Sequence, residues 1–162
     1  MLAIQSLRNA QMVTISTASI AILVNIALAA LTNNAYKATH LLHGTFSGSQ
    51  SGGIYALKFG SASVFLLTSF LCSSMGLGFL VDANFLLNIA DCENTSPEYT
   101  QKVSEQGFML AHIGNRILFI SFPLLTWLFG PVPVALSSLA LIWGFYQLDF
   151  CAVYRAVLWN LS

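Results

Sequence analysis

Charged residues are scarce in this sequence. Only 7% of its 162 residues are Asp, Glu, Lys or Arg, whereas soluble globular domains carry about 25%. Six basic residues balance six acidic ones, so the chain has no basic excess that would attract nucleic acid. Hydrophobic residues make up 56% of the chain. This composition excludes a soluble domain and a nucleic-acid-binding protein, and it predicts an integral membrane protein.

Cysteines and catalytic motifs are scarce as well. The three cysteines, Cys72, Cys92 and Cys151, have neither the spacing of a zinc site nor the even number of a disulfide framework. We interpret them as reduced thiols, and a Cys92–Cys151 disulfide is the alternative in an oxidising compartment. The chain also lacks a nucleophile motif, a phosphate-binding glycine loop, an HExxH motif and paired intramembrane carboxylates. We therefore predict that the protein is not an enzyme and binds no metal ion.

Long hydrophobic runs are what the sequence does contain. A bilayer core about 30 Å thick requires about 20 predominantly apolar residues per helix. The segments that match this pattern are, approximately, 11–31, 54–81, 107–129 and 134–148. The glycines and serines of 39–53 predict a loop, and Ser96-Pro97 predicts a helix start. We predict an all-α integral membrane protein, a single domain over residues 1–162 built as a bundle of about four transmembrane helices.

Small residues recur along the first two predicted helices and indicate faces for close helix packing. On the first helix they are Thr14, Ala18, Ala21, Asn25 and Ala29. On the second helix they are Gly60, Ser61, Ser69, Cys72, Ser73, Gly76 and Gly78. A signal peptide is the alternative for the first segment, because Arg8 precedes an apolar run that ends in Ala27-Leu28-Ala29. The run is long for a signal peptide, so we favour a transmembrane helix.

Three polar residues, His112, Asn115 and Arg116, interrupt the third hydrophobic segment. Arginine keeps its charge and is costly in hydrocarbon, so Arg116 must pair, reach water or snorkel to the interface. We predict a polar intramembrane cluster with the flanking residues of the other segments, namely Arg8, Asn9, Asp82 and Asp149. In the preferred interpretation, Arg116 snorkels and bonds Asp149, Asp82 or helix-end carbonyls. The alternatives are a pocket for an anion, a lipid headgroup or a proton path, and a contact with a partner subunit.

His112 is a candidate for cofactor binding, because histidine can ligate a haem or a chlorophyll. A haem held by two histidines needs a second histidine at equal depth, whereas His40 and His43 lie toward the opposite side. We therefore expect no cofactor apart from a bound lipid, with a pigment at His112 as the least favoured alternative. At the end of the second segment, Asn84 and Asn88 share one face and are predicted to lie at the membrane interface.

Six short motifs follow one another along the chain: QSLRN (5–9), NFLLN (84–88), PEY (97–99), GNR (114–116), WLFGP (127–131) and YQLDF (146–150). With these motifs, over about residues 2–150, the sequence resembles the domain-of-unknown-function 599 family of membrane proteins from plants, algae and bacteria. The resemblance implies a multi-helix membrane protein without an established activity. The positions that match the family pattern are Arg8, Asn9, Asn84, Asn88, Gly114, Asn115 and Arg116. The resemblance also implies a further hydrophobic segment ahead of Gln5, whose loss would expose a groove for a partner protein.

The predicted function is that of an accessory or structural subunit within a larger membrane protein complex. The chain is small, carries no complete catalytic set and has small-residue faces for helix packing. The expected partners are membrane lipids and other membrane protein subunits. The alternative is a small oligomeric transporter or channel with a polar pocket for an anion or lipid headgroup at Arg116. The membrane is either that of an organelle (chloroplast or mitochondrion) or an endomembrane or plasma membrane.

Overall fold

The structure is a computed structural model that describes the backbone of residues 2–41, 52–89, 97–128 and 131–160, with side chains at 4–34, 56–88, 98–128, 131–147 and 150. These residues form four α-helices: α1 (Leu2–Leu41), α2 (Gly52–Ile89), α3 (Pro97–Thr126) and α4 (Pro131–Asn160). Over these four ranges there is no β-strand. The predicted all-α class is therefore confirmed.

Each helix is longer than the hydrophobic segment predicted for it. Helices α1 and α2 enter the predicted 39–53 loop from both sides, ending at Leu41 and beginning at Gly52. Helix α3 begins at Pro97, where the motif predicts a helix start, although Ser96 and Cys92 themselves lie outside the described residues. Hydropathy marks only the part of a helix that suits hydrocarbon, whereas helical hydrogen bonding continues into polar residues with good helix propensity.

Three helices within the described ranges are long and apolar enough to cross a membrane. Their candidate spans are Ile4–Asn34, Ala56–Asn88 and Glu98–Thr126, with mean hydropathies of 2.0, 2.0 and 1.5. The shortest has 29 residues, which corresponds to about 43 Å of helix and exceeds the hydrocarbon core of about 30 Å. The fourth predicted segment, 134–148, lies within α4.

The chain divides into two compact units, Met1–Ser121 and Phe122–Ser162. The first unit contains α1, α2 and most of α3. In the second unit, Thr126 Oγ1 and Ser137 Oγ share a hydrogen bond of 2.8 Å. Pro123 lies inside α3 close to the division and has no N–H with which to continue the helical hydrogen bonding. The single domain over residues 1–162 stays a prediction.

Buried positions in the first unit follow a seven-residue repeat. On α1 they include Leu7, Thr14, Ala21 and Leu28, and on α3 they are Thr100, Val103, Gly107, Gly114 and Ser121. On α2 the spacing alternates between four and three residues through Ala62, Leu66, Ser69, Ser73, Gly76, Leu80 and Ala83. A period of 3.5 residues is typical of left-handed helix packing at a crossing angle of about 20°. We call these three rows of residues the inner seam.

Large apolar side chains lie mostly outside the inner seam. Met12 and Leu57, for example, are 72% and 65% exposed, whereas Ser69 and Ser73 are fully buried. Small residues inside and large residues outside are expected where lipid, which is as apolar as leucine, surrounds the helices. The first unit therefore has the residue distribution of a membrane protein.

The inner seam differs from the small-residue faces that were predicted. On α1, Thr14 and Ala21 are buried, but Ala29 is exposed and Leu28 is buried instead. On α2, Gly60 and Gly78 are exposed. The residues of the predicted face on α1 are spaced by nearly four positions on average, whereas the buried residues are spaced by about 3.5. After a few turns the two rows therefore lie on different sides of the helix.

Candidate functional site

Gly114, Asn115 and Arg116 lie near the middle of the α3 span. The candidate span runs from Glu98 to Thr126, so Arg116 is 18 residues, about 27 Å, from its first residue and 10 residues, about 15 Å, from its last. Arg116 therefore lies inside the apolar span and away from both of its ends. The three consecutive residues, together with the side chains that contact them, are here called the central polar layer: Thr17, Ser69, Ser73, His112, Gly114, Asn115 and Arg116.

Gly114 allows α3 to approach α2 closely. Ser69 Oγ donates a hydrogen bond of 2.7 Å to the carbonyl oxygen of Gly114. A methyl group at Gly114 would overlap Ser73 Oγ and would lie 3.0 Å from the backbone nitrogen of Ser73. The Ser73 side chain is fully buried, and its hydroxyl has no hydrogen-bond partner among the described residues. Only glycine fits at this crossing without moving α2.

The close approach continues at two further glycines of the inner seam. A methyl group at Gly76 would lie 2.8 Å from the backbone nitrogen of Ala111, and one at Gly107 would lie 3.1 Å from the backbone nitrogen of Leu80. Real side-chain carbons essentially never approach other atoms to less than 3.0 Å. The two backbones are therefore in contact over about two turns of α2, with no space between them for a solute.

Asn115 is directed toward α1 rather than α2. Thr17 Oγ1 donates to its own helix at the carbonyl of Val13, 3.0 Å away, and lies 3.4 Å from Asn115 Oδ1. Helices α1 and α2 are joined by further polar contacts, from Gln11 Nε2 to the carbonyl of Leu80 at 2.9 Å and from Ser63 Oγ to the Asn25 amide oxygen at 2.8 Å. Such hydrogen bonds hold helices together in lipid.

Arg116 contacts His112 one turn earlier on the same helix. Arg116 Nε donates a hydrogen bond of 2.9 Å to His112 Nε2. His112 is exposed and Arg116 is half-buried. Arg116 keeps its positive charge, and its guanidinium supplies the N–H donor of this contact.

The register between α2 and α3 separates Asp82 from Arg116. The two helices are antiparallel, with Ser73 against Gly114 and Leu80 against Gly107. Continued along α2, this register places Asp82, which is exposed, level with Glu105. Arg116 is then about 16 Å farther along α3. The structure does not bring Asp82 to Arg116.

Arg8 and Asn9 lie at the same end of the first unit as Asp82. Their neighbour Leu7 packs in one hydrophobic cluster with Leu80, Ala83 and Val103, while Arg8 and Asn9 are themselves exposed. The side chain of Asp149 lies outside the described residues. Among the described members of the predicted polar cluster, His112, Asn115 and Arg116 lie in the central polar layer, whereas Arg8, Asn9 and Asp82 lie several turns away.

Asn84 and Asn88 are linked to each other at the end of α2. Asn88 Nδ2 donates a hydrogen bond of 2.8 Å to the backbone carbonyl of Asn84. The amide oxygen of Asn84 is buried and has no hydrogen-bond partner in the part of the chain that the structure describes, and the same holds for the hydroxyl of Thr100 near the start of α3. Asn88 is exposed at the end of the candidate span Ala56–Asn88. The predicted interfacial position of the two asparagines stays a prediction.

Thr17 and Gln11 were not among the predicted site residues, although both make polar contacts between helices. The sequence does contain a signal for Thr17. It lies three residues after Thr14 and four residues before Ala21, which is the spacing of a helix-packing face with a period of about 3.5 residues. In the ranges for which side chains are described, no group of three or more His, Cys, Asp or Glu residues is positioned to hold a metal ion.

Comparison with known proteins agrees with the resemblance in the six motifs. The family described as "Protein of unknown function, DUF599" matches residues 1–153 of the chain. No curated protein and no solved structure matches it. Because the family match covers almost the whole sequence, and because the fold consists of long apolar helices as that resemblance implies, this protein belongs to the DUF599 family.

Proposed function

We propose that this protein is an accessory or structural subunit that packs within a larger membrane protein complex. The observation that carries the proposal is the contact between α2 and α3. A methyl group at Gly76 or Gly114 would collide with the neighbouring helix, and one at Gly107 would lie 3.0 Å from the Leu80 side chain. A solute path between these helices would need space that the contact does not leave. The centre of the first unit is therefore suited to packing.

Polar side chains that join neighbouring helices support the same proposal. Ser69 donates to the Gly114 carbonyl, and Asn25 accepts from Ser63, so these groups bind neighbouring helices. Hydrogen bonds between membrane helices stabilise a protein by about 0.6 kcal/mol on average. Several such hydrogen bonds together hold α1, α2 and α3 as one body, and this body can be inserted between other subunits.

The outer surface offers the area that a subunit needs. Leu23 on α1, Leu57 on α2 and Met109 on α3 are each more than 60% exposed. In a membrane such a surface contacts either lipid tails or the helices of other proteins. A small protein with a tightly packed centre and apolar outer faces can fill the space between the helices of a larger complex.

Extraction from native membranes tests the proposal. The chain carries an affinity tag, is solubilised in a mild detergent and is analysed by native gel and mass spectrometry. We expect a defined set of proteins to co-migrate with it in fixed stoichiometry. As a control, tagged membranes are mixed before solubilisation with isotope-labelled untagged membranes, and proteins that carry the label are discounted. Fractionation before extraction identifies the membrane. A species containing only this chain and lipid would contradict the proposal.

A small oligomeric transporter or channel is the second candidate, and the Arg116–His112 pair favours it. The pair combines a positive charge with an exposed imidazole near the middle of the span, so copies of the chain arranged around it would surround a site for an anion or lipid headgroup. The test is anion flux into vesicles that contain the purified protein. Arg116→Gln should abolish flux while assembly is unchanged, and equal loss of protein and flux would exclude this candidate.

A further inference from the structure

We infer that a water molecule is bound between α2 and α3, where it is held by the side chains of Asn84 and Thr100. The place is here called the Asn84–Thr100 site. Asn84 opens the NFLLN motif and Thr100 directly follows the PEY motif, so the water molecule is a ligand for two of the six motifs. The inference is independent of the proposed function, because it concerns neither the glycine contacts nor the outer surface of the helices.

Both residues have a buried oxygen that lacks a protein partner. Within the part of the chain that the structure describes, the amide oxygen of Asn84 and the hydroxyl of Thr100 make no hydrogen bond. Thr100 is only 5% exposed and lies on the inner seam of α3. Buried polar atoms without a hydrogen bond are costly and rare, and buried water molecules typically bind to those that have no protein partner. Two such atoms at one end of the same helix pair therefore indicate a bound ligand.

The register between α2 and α3 places the two residues opposite each other. Gly76 of α2 lies against residues 107–111 of α3, and the two helices are antiparallel. Asn84 is eight residues after Gly76, so the same register places it against residues 99–103 of α3. Within that stretch Thr100 is the one buried polar residue. Asn84 and Thr100 therefore lie at the same level of the helix pair.

At this level the helix pair has room for a water molecule. Residues 79–89 of α2 and 97–106 of α3 contain no glycine, so side chains separate the two backbones by the usual interaxial distance of about 8–10 Å. Ala83 and Val103 pack there in one hydrophobic cluster, which agrees with the register. By contrast, Ser73 lies where the two backbones touch, so its buried hydroxyl has no space for water beside it.

Water fits the chemistry of the Asn84–Thr100 site. The amide oxygen of Asn84 only accepts, whereas the hydroxyl of Thr100 donates or accepts, and one water molecule can bond both. Calcium and magnesium ions need about six oxygen ligands, usually with charged ones among them, which two uncharged side chains do not supply. The neighbouring exposed residues of α3, Gln101, Lys102 and Glu105, are polar, so this end of the helix is suited to contact with water.

Magnetisation transfer from water tests the inference directly. The full chain, with labelled threonine methyl groups, is placed in lipid bilayers and studied by solid-state NMR. We expect transfer from water protons to the methyl group of Thr100, and loss of this signal in Asn84→Leu. Thr14 is the control, because it is 2% exposed and its hydroxyl donates to the carbonyl of Ala10, 2.7 Å away. The methyl group of Thr14 should receive no transfer.

A double-mutant cycle measures the bridge through stability. Thr100→Val keeps the shape of the side chain and should lower the folding equilibrium constant about tenfold, because the water molecule and Asn84 lose a partner. Asn84→Leu should have the same effect, and the double variant should lose about tenfold in total rather than about a hundredfold, because the bridge is removed only once. Thr100→Val combined with Asn88→Leu is the control and should be additive, since Asn88 is exposed and donates to the backbone carbonyl of Asn84.

Four results would overturn the inference. The first is the absence of transfer from water to Thr100 in the unaltered chain, a measurement that requires no variant to fold. The second is a higher folding equilibrium constant in each single variant, which is expected for oxygens that have no partner at all. The third is coupling without transfer, which would indicate a direct hydrogen bond between the two side chains or one from residues 90–96. The fourth is a loss of stability when choline replaces sodium and potassium in the buffer, which would indicate a bound cation.

Discussion

The two sides of α3 pack according to different rules. On the inner seam, Gly107 and Gly114 bring the backbone of α3 against that of α2, and Ser69 donates a hydrogen bond across the contact. The other side, formed by Met109, His112 and Arg116, is here called the α3 outer face. On it, Met109 is large and exposed, and Arg116 is bonded to His112 on the same helix. A single helix therefore presents a face without space for a methyl group and a face of large side chains around one charge.

This difference shows what holds helices together when lipid is the solvent. Water does not drive large apolar side chains inward, because lipid tails solvate them as well as a protein interior does. Close backbone contact and interhelical hydrogen bonds then decide which face is buried. The predictions that follow test whether stability resides on the inner seam and is nearly absent from the α3 outer face.

The largest effect is expected for Gly76→Ala. The added methyl group would lie 2.8 Å from the backbone nitrogen of Ala111, which cannot move without its helix, so we expect a loss of about 3 kcal/mol in the free energy of unfolding. Gly78→Ala is the matched control, because nothing lies within 4 Å of its added methyl group. Unfolding in detergent micelles, followed by circular dichroism, measures both. Equal stability of the two variants would contradict the account of the inner seam.

Gly114→Ala is expected to cost about 2 kcal/mol. Its methyl group overlaps the Ser73 hydroxyl, which is a side-chain atom that substitution can remove. Ser73→Ala should therefore recover about 1 kcal/mol of that loss when combined with Gly114→Ala. The four proteins of the double-mutant cycle are compared by the same unfolding measurement. A strictly additive cycle would show that the two side chains do not meet.

Ser69→Ala should lose about 1 kcal/mol, because the carbonyl of Gly114 would be left without its 2.7 Å hydrogen bond from α2. Thr68→Ala is the comparison, since Thr68 is exposed and its hydroxyl donates only to its own helix, at the Val64 carbonyl. We expect Thr68→Ala to change the unfolding free energy by less than about 0.5 kcal/mol. Infrared spectroscopy of the protein with a labelled Gly114 carbonyl reports the lost hydrogen bond independently of stability.

The smallest effect is expected for Met109→Ala on the α3 outer face. Met109 is 64% exposed, and detergent replaces its contacts, so the purified chain should lose less than about 0.5 kcal/mol. Thermal unfolding of the isolated protein measures this directly. A loss as large as that of Gly114→Ala would mean that the outer face belongs to the packed centre.

The helices were predictable because their signal is local. Runs of apolar residues marked all four, and Pro97 marked the start of α3, since each depends only on composition over a few turns. The helix ends were less predictable, because polar residues near Leu41 and Gly52 continue the backbone hydrogen bonding. The predicted packing residues Ser69, Ser73 and Gly76 are all buried on the inner seam.

The candidate site was only partly predictable. His112, Asn115 and Arg116 were identified because polar residues are rare in apolar segments, and His112 and Arg116 are indeed bonded across one helical turn. The predicted convergence with Asp82 depended on how far α2 slides along α3. That register is decided by where Gly76, Gly107 and Gly114 let the backbones meet, which hydropathy does not report.

The sequence by itself determined that the protein lies in lipid, that it is helical and which family it belongs to. These follow from composition, from the length of the apolar runs and from the ordered motifs, which are all properties of the chain alone. Only the tertiary structure decided which side of each helix is inside. It turned Gly114 toward Ser73, Asn115 toward Thr17 and Arg116 toward His112. The physical reason is that backbone contact, unlike hydrophobicity, depends on the register between two helices. If α3 were shifted by one residue along α2, a residue with a side chain would replace glycine at each point where the two backbones meet.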